Sequence, residues 1–141
     1  MSETKQGSRP RRKYRVTAES AGKRLAIAEL LRRGIDATLV SSGAGKHDVL
    51  VCAGDSPPKA IQVKTVHSAP WYVRRASFEK RADQVTVYVL LGAESMRPAR
   101  FFVAKNSDLA SQFRQPPAWK TFVLIDAKAV EQYEDNWDTL M

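Results

Sequence analysis

One aspartate, Asp48, heads an apolar run, and a Gln-x-Lys triplet, Gln62-Val63-Lys64, lies inside the next one. A carboxylate, an amide carbonyl and an ammonium at that spacing suit one kind of chemistry. Phosphodiester hydrolysis needs a hard cation held by oxygen ligands and an activated water beside it. Asp48 would supply a carboxylate oxygen, Gln62 a side-chain carbonyl and Val63 its main-chain carbonyl. Lys64 would orient the water or stabilise charge developing on the phosphate. A Gln and a Lys inside an otherwise apolar strand are costly unless they are used. The alternative is a strand whose polar face simply meets water.

The elements that must position these groups follow from the pattern of the chain. Asp48–Ala53 and Ala60–Val66 read as two strands, with the turn residues of GDSPPK between them. Strand side chains alternate, so Gln62 and Lys64 share one face while Ile61 and Val63 point to the other. The short turn makes the strands neighbours and brings Asp48 toward Gln62 and Lys64. Upstream, Thr17–Arg33 is predicted to be an amphipathic helix, with Thr17 as N-cap and Gly34 just past its end. At about 100° per residue, Ile27, Leu30, Leu31 and Ile35 fall on its apolar face and Glu29 nearly opposite. Asp36–Ser41, Val85–Leu91 and Arg100–Ala104 are further strands, and Ser42–His47 is a Gly-rich loop. Asn106–Phe113 and Ala127–Trp137 read as helices, and Trp119–Ile125 as a strand or irregular cover. The segment 71–81 reads as a basic loop. Helix, three strands, loop, two strands and helices make an α/β layered domain with a mixed sheet.

The 141 residues suit a single domain over 16–141, preceded by a flexible basic arm over 1–15. A net charge of +8 attracts polyanions, with nucleic acid the default. Arg11, Arg12 and Lys13 of the arm and Lys46 of the Gly-rich loop are placed to meet phosphates. WYVRRASFEKR, residues 71–81, interleaves Trp71 and Tyr72 with Arg74, Arg75, Lys80 and Arg81, cations for phosphates and rings for stacking. The competing reading makes Trp71 and Phe78 core and the charges a solvated face. GAGK at 43–46 lacks the P-loop spacing, so nucleotide hydrolysis is rejected. His47 and His67 read as solvent-facing loop residues. The single cysteine, Cys52, excludes an internal disulfide and a Cys-rich zinc site, is expected in the core, and fits a cytoplasmic setting. No apolar run approaches the roughly 18 residues of a membrane span, and the charged N-terminus is not expected to be a signal peptide.

Taken in order, AELLRRG, Asp48, IQVKT, Trp71, VTVYVLLG, RFFVAKN and YEDNWDTL resemble small single-domain bacterial members of the PD-(D/E)XK nuclease superfamily. The resemblance covers roughly residues 17–140, with Gln-x-Lys in place of Glu-x-Lys. It implies a restriction-endonuclease-like core, a central mixed sheet flanked by helices, a Mg²⁺ site that also accepts Mn²⁺, and DNA cleavage, with a homodimer compatible with cutting both strands. One position departs from that pattern. The family places a glutamate early in the first helix, six residues before the Glu of AEL, where this chain has Lys23. A cation there repels the expected metal. Glu29 lies about 240° around the helix from position 23 and is a poor replacement. Glu19, one turn earlier on the same side, is the better one, though an acidic residue in the first turn also suits the helix dipole alone. A third arrangement pairs Lys23 with Asp48 in place of a metal, which leaves a catalytically silent DNA binder.

Overall fold

The computed structural model describes residues 12–43, 46–92 and 97–141, with 12–16, 42–43 and 46–48 described as backbone alone. The first helix, α1, runs Arg12–Arg32, so the expected arm contributes residues 12–15 to the helix and Thr17 lies inside it rather than capping it. Its end is as expected. Gly34 takes φ +79°, and the N–H groups of Gly34 and Ile35 donate to Leu31 and Leu30 carbonyls at 3.0 and 2.9 Å. This pairing satisfies carbonyls that a helix end otherwise leaves open.

Seven strands follow: β1 Asp36–Gly43, β2 Lys46–Cys52, β3 Lys59–Val66, β4 Trp71–Arg74, β5 Val85–Leu90, β6 Arg100–Lys105 and β7 Phe122–Ile125. Three short helices join them: α2 Arg75–Lys80, α3 Asn106–Leu109 and α4 Ala127–Val130. The fold is α/β, with a central five-stranded sheet in the order β1-β2-β3-β5-β6. The β3–β5 pair is parallel and the others antiparallel. This layout is compatible with a restriction-endonuclease-like core. A second, two-stranded sheet pairs β4 with β7.

Strand alternation gives the central sheet two apolar faces. Val49, Val51, Ile61, Val63, Val87 and Val103 pack against Ala26 and Leu30 of α1 and against Trp137 and Leu140. Tyr88, Phe102 and Ala104 pack on the other side against Trp71, Val73, Val123 and Ile125 of the small sheet. The helix surface that faces the sheet is the expected one in part: Leu30 and Ile35 are in the core and Ile27 packs against it. Ala18, Gly22, Ala26 and Leu30 are buried, whereas Leu31 is 51% exposed. Small residues four apart let the helix backbone come close, and that proximity outweighs the larger side chains beside them. A Cβ on Gly22 would lie 2.8 Å from Cβ and Cγ2 of Thr65 and nearer still to its hydroxyl.

Five further expectations need correction. Ser42–His47 is not a loop throughout, since β1 runs to Gly43 and β2 starts at Lys46, and the helix expected over Ala127–Trp137 is one α-helical turn, Ala127–Val130, followed by a 3-10 turn over Glu131–Tyr133. Residues 71–81 are not a loop but β4 followed by α2. The helix expected over Asn106–Phe113 is only one turn, Asn106–Leu109, with the buried Asn106 held at its start by its side chain. Its Oδ1 accepts from the Thr86 hydroxyl at 3.1 Å and its Nδ2 donates to the Ser77 and Arg81 carbonyls at 3.0 Å. Cys52 is half-buried, on the strand face opposite Val49 and Val51. Among the described residues no helix is long and apolar enough to cross a membrane.

Candidate active site

The central feature of the site is where β3 changes partners. It pairs with β2 at only three positions, Lys59, Ala60 and Ile61, and with β5 from Gln62 to Val66. Among the described residues, β3 therefore has no ladder partner on the β2 side beyond Ile61. The direction of its main chain follows from two hydrogen bonds. The Val66 carbonyl accepts from Leu91 N–H at 2.9 Å, and the Ala60 carbonyl accepts from Gln84 Nε2 at 2.9 Å. Both bonds point toward β5. Main-chain groups alternate sides along a strand, so those of Val63 and Thr65 point to the vacated edge. Among the described residues the Val63 carbonyl is thus an acceptor without a ladder partner on that side.

Side chains on β3 alternate in the expected way. Ile61 and Val63 are 2% and 8% exposed in the core against α1, and Gln62 and Lys64 are half-buried on the other face. Asp48 sits in β2 opposite Val40, one residue before Val49, which pairs with Ile61. Its backbone is thus at the level where β3 leaves β2. The side chains of Asp48, His47 and Lys46, and those of Arg12 and Lys13, lie outside the described residues, as does Arg11 entirely.

Lys64 carries a perturbed ammonium. Burial lowers its pKa, the Glu19 carboxylate counters that, and the charges of Arg74 and Lys23 lower it further, so it stays below the ordinary lysine value. Charges from α1 and β4 thus converge on one group of β3. Glu19 and Lys23 both act on it, which places them on the same side as the helical wheel requires. Glu29 is engaged elsewhere, its carboxylate 2.8 Å from Arg33 and 3.9 Å from Arg32. His67 is half-buried, with Nδ1 3.4 Å from the Gly92 carbonyl.

Among the described residues no three His, Cys, Asp or Glu side chains assemble into a metal cluster. The oxygen groups that the elements at the β3 edge carry are of mixed kind: the Gln62 amide, the Val63 main-chain carbonyl and the Glu19 carboxylate, with Asp48 at the adjoining position. Oxygen-only donors suit a hard cation such as Mg²⁺ or Mn²⁺ better than zinc, which favours nitrogen and sulfur. Lys23 counts against a cation there.

The basic segment divides. Trp71 is 0% exposed, its indole donates to the Val89 carbonyl at 3.2 Å, and its ring meets Tyr88 and Phe102 edge-on at 5.5 and 5.9 Å. It is core, not a surface ring. Phe78 is core too, at 4% exposure. Arg74, Arg75, Lys80 and Arg81 are exposed. Among the described residues the surface aromatics are Tyr72, which the 71–81 segment carries as expected, and Trp119 and Phe122, which sequence reasoning missed. The signal was present, since Trp-Tyr-Val-Arg alternates apolar and outward residues as a strand does, although over four positions only.

No protein-family model matches the chain, nor does any curated protein or solved structure.

Proposed function

We propose that the chain is a metal-dependent DNA endonuclease of the PD-(D/E)XK type. The observation that carries this reading is the partner change of β3 at Gln62, with Gln62 and Lys64 half-buried on one face beside it. Asp48, Gln62 and the Val63 carbonyl would hold Mg²⁺. When bound, the ion would polarise the phosphate and acidify a water. Lys64 holds its proton less tightly than an exposed lysine, which suits it to a water or a developing phosphate charge. Glu19 offsets the surrounding cations. The net charge of +8 supports a polyanionic substrate, and the cytoplasmic setting and homodimer go with the nuclease reading.

The test is cleavage of supercoiled and branched DNA in Mg²⁺ or Mn²⁺, beside DNA binding in chelator. Wild type is expected to cut. Asp48→Ala and Lys64→Ala are expected to lose at least about a hundredfold in rate while binding DNA as before. Binding without cleavage by wild type overturns the nuclease reading.

Lys23 favours a second reading, a catalytically silent DNA-binding member of the same fold. Its ammonium acts on the same group that Glu19 does. A silent protein takes up no Mn²⁺ in calorimetry, and Lys23→Glu restores uptake. Uptake by the wild type rules this reading out.

A further inference from the structure

The outer face of the β4–β7 sheet carries an unusual concentration of exposed rings. Tyr72, Trp119 and Phe122 are 43%, 36% and 40% exposed, three of the six large hydrophobic side chains exposed among the described residues. They are neighbours by register and contact. Tyr72 pairs with Leu124 and Arg74 with Phe122 across the ladder. The Tyr72 and Trp119 rings stack at 5.9 Å and 25°, and the Arg74 guanidinium lies 5.1 Å from the Phe122 ring centroid. Clustered rings left in water mark a binding surface rather than a packing remainder.

The chemistry of the patch selects the partner. Its rings are interleaved with cations, and the acids beside it are neutralised. Asp126 is bound by Arg114 at 2.8 Å and Glu79 by Arg75 at 3.4 Å. An aliphatic protein groove would need neither the ring stack nor Arg74. Bases of unpaired nucleotides offer flat faces to rings, and their phosphates offer charge to arginine. Duplex bases are stacked on one another and cannot use such a surface. Arg74 is also among the charges that act on Lys64, so the patch adjoins the candidate site.

We propose that the outer face of the β4–β7 sheet binds unpaired nucleotides of a DNA substrate, with bases stacking on Tyr72, Trp119 and Phe122 and a phosphate meeting Arg74. The proposal rests on DNA as the substrate of the site described above and names the form it takes: strands with single-stranded ends, forks or gaps. It explains why the aromatic surface and the split edge of β3 lie on adjoining parts of the molecule.

The test is fluorescence anisotropy in chelator, so that cleavage plays no part. The probes are a labelled single strand of about 16 nucleotides, a forked duplex and a blunt duplex. Wild type is expected to bind the strand and the fork more tightly than the blunt duplex. Trp119→Ala and Phe122→Ala are each expected to weaken strand and fork binding by roughly 5- to 100-fold. Blunt-duplex affinity should stay within about twofold, and Trp119→Phe should recover most of the loss. Unchanged urea midpoints show that the variants are folded. Equal affinity for all three probes overturns the proposal, as does equal weakening of all three in the variants. Preferential binding of an acidic protein with no DNA bound overturns it together with the nuclease reading. Strand binding without cleavage in Mg²⁺ upholds it and removes only the nuclease reading.

Discussion

Lys64 shows how much one position on a strand can be made to carry. Desolvation and the Arg74 and Lys23 charges lower its pKa while Glu19 raises it, and the balance stays below the free-lysine value of 10.5. A lowered lysine pKa means that the unfolded chain binds its proton more tightly than the folded one. The folded state is therefore penalised wherever Lys64 is charged. The penalty is complete below the folded pKa, shrinks as pH rises toward 10.5, and vanishes above it. Lys64→Met keeps the length of the side chain and removes the charge. It is expected to raise Tm at neutral pH, with a gain over wild type that narrows steadily as the alkaline limit is approached. A Tm difference that does not change with pH would show that burial does not act on the charge at this residue. The pairing of Gln62 with Lys64 on one face was legible because strand alternation has a period of two. The Glu19–Lys23 side of the helix was legible from its wheel. The Arg74 charge was not, because nothing in the sequence shows that β4 returns beside β3.

At the scale of elements, the contact of α1 with β3 sets how Glu19 and Lys23 approach the site. Gly22 is in the middle of the helix, where glycine costs about 1 kcal/mol relative to alanine. It stands there because the helix lies against Thr65 with no room for a Cβ. Gly22→Ala gains helix propensity and forces the helix away from the strand. The second effect is expected to dominate, lowering stability by about 1–3 kcal/mol in urea unfolding. Gly22→Ala with Thr65→Ala is expected to recover part of the loss, because the nearest atom is removed while the strand Cβ remains. A Gly22→Ala protein as stable as wild type would mean that the helix yields freely. The same contact explains why only part of the buried face of α1 was read from sequence: Leu30 and Ile35 were found, the small residues were not. Apolar periodicity weights large side chains, and this interface is made by Ala18, Gly22 and Ala26. The strands of the central sheet were plain in sequence, because each is a β-prone run bounded by turn residues. The β4–α2 segment was hidden by its charge, although Trp71 and Val73 anchor it in the core.

Across the whole molecule, the +8 charge predicts affinity for polyanions but does not say where they lie. Sequence alone spread the candidates from the N-terminal arm to residue 81. The fold joins two of those regions, because Arg74 acts on Lys64 from one side and rests over Phe122 from the other. Arg74→Gln separates the two roles. If Arg74 meets a phosphate of the unpaired strand, the variant should bind the single strand and the fork more weakly. The slope of log affinity against log salt should fall by about one for each phosphate that is no longer neutralised. The same substitution removes a cation acting on Lys64, so the Lys64 pKa should move up toward its free value, read as an Nζ titration by NMR. Both changes are expected together, whereas Lys80→Gln, at the far end of α2, should alter only the salt slope. A lower slope with an unmoved Lys64 titration would detach the binding surface from the site. A moved titration with an unchanged slope would leave Arg74 as a tuning charge that touches no phosphate.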